Sequence, residues 1–323
     1  MDFWDLFAVP NTQWRTAQSR VHVVEIMVDP PLMWWAYLRQ GRNATPAQRE
    51  AYLDRPQYLP RLFTFLRDHH LAFCVGFEAV HGPRHLEGVD PHAAENVENI
   101  CRQIHRDGGV VDYAGLDEPL CFGHYNEKGP RYSIEDLFDP TKGNLQGSIA
   151  VIKRYFPSVK FVEAEPINSY DWVYSEAGVA RYADDFAAWT TAFKQHTGSA
   201  ITALQLDIWW PRPLKPVIRR LCEKVLRPQG VLLGVMFNGD GRAKTDAEAT
   251  TACKEHIRYW HAMGLPEPDQ VLMQDWFEHP SKNLPETDTT AFTSMINWYV
   301  DNISEIKWAV SDAAEPKPPA RHK

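Results

Sequence analysis

Residues 160–210 contain KFVEAEP (160–166), YADDFAAWTTAFKQH (182–196) and ITALQLDIWW (201–210) in that order, and this passage decides the fold. The two outer segments are short and apolar, with the alternation of a strand. The middle one has apolar residues at helical spacing. The same pattern extends in both directions. Strand-like runs occur at VHVVEIM (21–27), LAFCVGFEA (71–79), VVDYAGLDEP (110–119), VLLGVMFNG (231–239) and QVLMQDW (270–276). Helical segments fall between them, among them KPVIRRLCEKVL (215–226) and EATTACKEHIRYWHAM (248–263). The clearest is 90–109, with Asp90 as N-cap, Pro91 at the first helical position, Val97, Ile100, Cys101 and Ile104 on one face, and Gly108 and Gly109 as the stop.

Strands alternating with helices predict parallel strands joined by right-handed crossovers. No strand is followed by a GxGxxG turn or a phosphate loop, which speaks against a doubly wound nucleotide-binding sheet. Polar residues at the C-terminal strand ends favour a (β/α)8 TIM barrel, the face where barrel enzymes gather their chemistry. Residues 1–311 are therefore expected to form a single barrel domain, and 312–323, AAEPKPPARHK after Asp312, a disordered tail. A barrel needs eight strands and seven are evident. The eighth is expected from EIKWAVS (305–311), from DFWDLF (2–7), or from a strand ahead of Met1.

The 323 residues carry a net charge of -8, which argues against nucleic acid, since phosphate must be met by a basic face. No apolar run approaches the roughly 18–20 residues that cross a bilayer, and the start MDFWDLF has no leader pattern. The expectation is a soluble protein, cytoplasmic as written or secreted if a leader was removed. The five cysteines are odd in number and lack CxxC spacing, so free thiols are expected rather than a disulfide framework or a zinc site.

Side chains alternate along strands, so faces follow from position. If the face packed on helices must be apolar, Glu163 and Glu165 of KFVEAEP point inward. Gln205, Asp207 and Trp209 do the same, with Gly76 and Glu78, Met236 and Asn238, and Gln274 and Trp276; Glu25 is a further candidate. Asp117 and Glu118 are adjacent at the end of the third run. A lone acid at a strand end is as readily an N-cap or a partner for arginine. Several acids converging on one mouth are different, because like charges in a low-dielectric cleft repel and raise one another's pKa.

Two chemistries use such a cluster. Glycoside hydrolysis needs a protonated carboxyl as acid and an ionised one as base or nucleophile. The alternative is a divalent metal held by carboxylates with His81 or His124, although the histidine spacing matches no ligand motif. Tryptophan favours the first. Of twelve Trp, Trp34, Trp35, Trp172, Trp209, Trp210 and Trp276 follow strand runs, as do Tyr125, Tyr170 and Tyr174, whereas Trp189, Trp260 and Trp298 fall in helices and read as packing residues. Flat aromatic faces beside carboxylates suit a sugar ring, whose C–H face stacks while its hydroxyls find acceptors.

LDEP (116–119) and EAEP (163–166) resemble the acid-proline strand ends of (β/α)8-barrel glycoside hydrolases, and overall the chain is similar to glycosidase-like barrel proteins of bacteria. The resemblance implies that Glu118 is the acid/base. It departs at the nucleophile, where such barrels place a second Glu near the end of the seventh strand. VMFNGDG offers Asn238 and Asp240 there, so the catalytic pair is drawn from Glu118, Glu165 and Asp207.

The sequence-based expectation is thus a cofactor-free and metal-free glycoside hydrolase acting on an oligo- or polysaccharide. Glu118 is the general acid and Glu165 the base or nucleophile, with Asp207 as alternate. Asp117, Glu163, Glu78, Trp209, Trp210, Asn238, Gln274, Trp276 and Tyr125 bind substrate, and the loop 121–140 forms a lid. A metal-dependent sugar isomerase or lyase and a non-catalytic carbohydrate-binding barrel are the rivals.

Overall fold

The computed structural model describes residues 6–7, 12–27, 58–77, 79, 93–125, 131–210, 215–274 and 277–311. Seven strands are present among them: β1 (Val23–Met27), β2 (Ala72–Phe77), β3 (Tyr113–Asp117), β4 (Lys160–Glu165), β5 (Ile201–Leu206), β6 (Leu232–Phe237) and β7 (Gln270–Met273). They form one sheet in sequence order, β1 through β7. The pairs β1–β2, β2–β3, β3–β4 and β6–β7 are parallel. A doubly wound sheet reverses its strand order at a switch point; here the order never reverses, which is the winding of a (β/α)8 barrel with seven of its strands in view.

The helices are α1 (Arg15–Gln18), α2 (Tyr58–Asp68), α3 (Ala93–Arg106), α4 (Leu145–Tyr155), α5 (Glu176–Thr197), α6 (Lys215–Leu221), α7 (Asp246–Ala262) and α8 (Phe292–Ser311). α6 continues through a π-helical turn, Cys222–Leu226, to Gln229. Helix α3 has the apolar face expected of it, with Val97, Ile100, Cys101 and Ile104 buried, and Gly108 ends it at φ +82. Asp90 and Pro91 lie outside the described residues.

EIKWAVS is not a strand. It is the last part of α8, which runs unbroken from Phe292 to Ser311. No Gly or Pro separates it from AFTSMINWYVDN, and extending an existing helix avoids the cost of a new nucleus. Among the described residues there is no eighth strand. The five cysteines are free, and all but Cys121 are buried.

The chain divides into two compact units, one of His22–Glu165 with Ala187–Ala203, the other of Met1–Val21, Pro166–Phe186 and Leu204–Lys323. In the first, helices cover one face of the strands. Phe73 meets Phe63 of α2 with ring centroids 5.6 Å apart, and Phe161 meets Phe193 of α5 at 5.5 Å. The opposite face buries Cys74, Val162 and Ala203 together, with Tyr113 against them. In the second unit, Phe237 of β6 packs edge-on against Trp260 of α7, at 6.4 Å.

These contacts overturn the face assigned to β4. Phe161, Glu163 and Glu165 share a face, and Phe161 packs on α5, so the two acids lie on the helix side. Val162, small enough for the crowded opposite face, lies among Cys74 and Ala203. Residue size outweighed polarity here, and the helix side supplies one donor, the Trp189 N–H, to Glu163. The C-terminal part of the segment 121–140, expected to form a lid, is anchored on α5. In its described part Phe138 is 2% exposed and stacks on Trp189 and His196 of α5, at 5.3 and 4.6 Å. His196 Nε2 is 2.7 Å from Glu135.

Candidate functional site

The first unit concentrates carboxyls at the ends of β3 and β4. Glu163 and Glu165 are completely buried. The Trp189 indole N–H of α5 donates to Glu163. Glu163 Oε1 is buried without a hydrogen-bond partner, and the two carboxyls are close enough that each perturbs the other's pKa. Glu165 also receives two backbone donors, the N–H of Leu120 at 2.7 Å and that of Cys121 at 3.2 Å, one on each oxygen. These are the first amides of a π-helical turn, Leu120–His124, whose opening N–H groups have no partner within the turn.

Burial raises the pKa of both acids. For Glu165 the charges of Glu163 and then Glu118 add to the effect, while the Leu120 N–H opposes it. Two acids in contact without solvent cannot both ionise at ordinary cost, so at neutral pH the pair holds at least one proton.

Glu118 stands immediately before the π turn. The residue before a proline is already disfavoured in the right-handed α region, and Glu118 takes the left-handed one, with φ +48. For a side chain of this size such a backbone costs on the order of 1–3 kcal/mol. It persists because the surroundings fix it on every side. Its N–H donates to Ala164 O of β4 at 3.0 Å, and its carbonyl accepts the Phe122 N–H at 2.9 Å. One residue beyond Pro119, the Leu120 N–H is held by Glu165. Asp117 and Glu118 are both half-buried, so this strand end presents carboxyls that solvent reaches, unlike Glu163 and Glu165. Tyr125 closes the turn; it is 3% exposed and its ring packs edge-on against His124 at 4.8 Å.

On the opposite face, Glu25 lies over Gly115. A Cβ there would come within 3.3 Å of Gly76 Cα and 3.4 Å of Glu25 Oε1, so the glycine makes room for the carboxyl. The Cys74 thiol hydrogen-bonds Glu25; burial first, and Glu25 second, push the thiol pKa well up, which leaves a protonated, unreactive cysteine.

The second unit holds the remaining expected residues. Asp207, one position past β5, is half-buried. Trp209 is 64% exposed, whereas Trp210 is 7% exposed. Trp210 stacks on His256 at 4.8 Å and on Phe237 at 5.7 Å, which makes it a packing residue rather than a platform. His256 contacts the Asn238 carbonyl through Nδ1 at 2.9 Å, and burial lowers its pKa to about 4; it is therefore neutral. Asn238 is 5% exposed and its amide reaches Gln274 Oε1 at 3.5 Å. Glu78, Trp276, His81, Trp34 and Trp35 lie outside the described residues. Among the described residues no three His, Cys, Asp or Glu side chains group as a metal site, and no helix is long and apolar enough to cross a membrane.

Sequence reasoning missed four participants. Trp189 read as a helix-packing residue, and nothing in its spacing links it to Glu163. The amides of Leu120 and Cys121 carry no side-chain signature. Asn168, which holds Trp209 by both ends of its amide, gave one faint signal as an Asn in the turn after a strand.

No family model and no curated protein matches the chain. Similar solved structures include a β-glucosidase from Thermotoga maritima in complex with deoxynojirimycin, with 10% identity and a TM-score of 0.44, covering 95% of this chain and 93% of that one. A GH10 protein from Paenibacillus barcinonensis has 9% identity and a TM-score of 0.44, covering 90% and 98%. The carboxyl transferase domain of Rhizobium etli pyruvate carboxylase has 11% identity and a TM-score of 0.40, covering 94% and 50%. Hydrolases and a transferase alike are among them, so the likeness selects no reaction.

Proposed function

We propose that the chain hydrolyses a glycosidic bond of an oligo- or polysaccharide, with Glu118 as the general acid. One observation carries this reading: a half-buried glutamate is held in a strained left-handed backbone at a strand end, close to two fully buried acids. Folding alone has no use for either feature, and strain kept in place by surrounding bonds is the mark of a functional position. An acid that protonates a leaving oxygen must keep a fixed aim, since proton transfer needs hydrogen-bond reach to that atom.

Both oxygens of Glu165 are taken by backbone amides, so its part is to support Glu118 rather than to attack. Water activation is assigned to the half-buried Asp117, adjacent to Glu118 in the same unit, and is tested by its Asn variant; Asp207, in the other unit, is tested separately by its own. Carbohydrate is the proposed substrate class because a general acid with a second carboxyl beside it is the pair that cleavage of a glycosidic bond needs; Trp209, Asn238 and Gln274, in the other unit, are separate candidates for sugar binding. The test is release of reducing ends from a panel of plant and bacterial polysaccharides. Glu118→Gln should lose this activity while remaining folded, and full activity in that variant would sink the assignment.

A further inference from the structure

We infer that the N-terminal end of the sheet in the first unit binds a free α-amino acid with a large apolar side chain. Such a site is independent of the hydrolase reading above. A cavity of about 210 Å³ opens there between the last turn of α2 and the segment that leads from α3 into β3. Its buried lining is Phe63 and Leu66 of α2, Leu71, and Phe73 of β2, each at most 9% exposed. Phe63 and Phe73 are packed edge to face at 5.6 Å, so this wall is stiff. Val110, 68% exposed, carries the apolar lining out to the mouth. An apolar space of about 150 Å³ takes a benzene-sized group, so this one accommodates a phenyl or isobutyl side chain.

Two opposite charges line the same cavity, the Arg67 guanidinium and the Asp112 carboxylate. Arg67 Nε lies 3.7 Å from Asp68, with both side chains more than half exposed, a pair worth little. Asp112 accepts the Phe73 N–H on Oδ2 at 2.9 Å, and its Oδ1 has no hydrogen bond among the described residues. The two charges make no ion pair with each other. A cation and an anion kept apart at one apolar hole match the carboxylate and ammonium that an amino acid carries on a single carbon. Arg67 suits the carboxylate, which it can grip with two parallel N–H donors. Asp112 Oδ1 suits the ammonium, which has three donors to satisfy. An uncharged apolar ligand would use neither group, and a ligand of one charge would meet the other with the wrong sign. Asp112 and Glu118 stand at opposite ends of β3, roughly 20 Å apart along the strand, so this site is separate from the proposed acid.

The test is NMR titration of the full-length protein with L-phenylalanine and with two analogues that each lack one charge, hydrocinnamate without the ammonium and phenethylamine without the carboxylate. Phenylalanine should bind, and each analogue should be at least about tenfold weaker, the scale of one charge-assisted contact. Glycine, which leaves the cavity unfilled, should not bind. Arg67→Gln should weaken phenylalanine and hydrocinnamate about tenfold and leave phenethylamine unchanged. Asp112→Asn, whose amide oxygen can still accept the Phe73 N–H, should weaken phenylalanine and phenethylamine and leave hydrocinnamate unchanged. Loss of structure would weaken every ligand alike and cannot give this crossed pattern. Should Asp112→Asn fail to fold, Arg67→Gln, a change on an exposed side chain, decides the matter alone. Failure of phenylalanine to bind overturns the site, as does equal weakening of all ligands by Arg67→Gln. Either analogue binding as tightly as phenylalanine also overturns it, and would mark the cavity as a seat for an apolar side chain of another protein.

Discussion

Replacing Glu163 by Gln should flatten the dependence of stability on pH between 6.5 and 8. A carboxyl whose folded pKa lies above its unfolded value, ordinarily 4.5, keeps a proton that the unfolded chain has released. Its contribution is therefore complete at low pH and drains away as the pH rises towards the folded value, at about 1.4 kcal/mol per pH unit for each retained proton. Two retained protons would remove about 4 kcal/mol over this window, comparable with the whole stability of many domains. The donors decide the count. With the indole of Trp189 and the amides of Leu120 and Cys121 in place, the pair can carry one negative charge and one retained proton. The wild type should then lose about 2 kcal/mol between pH 6.5 and 8.

In Glu163→Gln the amide oxygen still accepts from Trp189, and the Glu163 charge that adds to burial in raising the Glu165 pKa is gone. Fewer protons are retained on folding, and the slope becomes shallower. Other shifted groups fall outside the window. His256 is held neutral, and its contribution rises with pH between about 4 and its ordinary 6.5. Asp288, held at about 2 chiefly by Lys282, contributes its stability above its ordinary value and loses it only in acid. Urea denaturation at four pH values would measure the slopes, and parallel slopes for the two proteins would refute a proton retained by the pair.

Three further outcomes follow from the same contacts. Trp189→Phe keeps the packing on Phe138 but removes a donor from a buried carboxyl, and should cost about 1–3 kcal/mol by denaturation. Glu118→Gly relieves the left-handed backbone and should leave the protein as stable or up to about 1 kcal/mol more so, while activity is lost; marked destabilisation would show that the φ of +48 is not strained. Excess EDTA should leave hydrolysis unchanged, and loss of activity restored by a divalent ion would point to the metal-dependent alternative.

All seven strands were legible because their apolar cores sit between turn residues and recur with helices between them. Their ends were less so: ITALQLDIWW stops being a strand at Leu206, which leaves Asp207 and Trp209 in the following loop. The face of β4 was misread because polarity was weighed above size, although FVEAE places its one large ring, Phe161, on the side of the acids. The eighth strand was sought in a segment whose residues suit a helix equally well. What could not be read at all was the support of the buried acids, since it consists of an indole 26 positions from Glu163 and two backbone amides. Such groups become partners only through the tertiary fold.

The most direct measurement is mass-spectrometric detection of products from a panel of oligosaccharides incubated with the wild type and with Glu118→Gln. The account predicts shortened oligosaccharides from the wild type, and from the folded variant a rate at least about a hundredfold lower, as expected when a general acid is removed. Equal rates in the two proteins, or no cleavage of any glycosidic bond by the wild type, would contradict it.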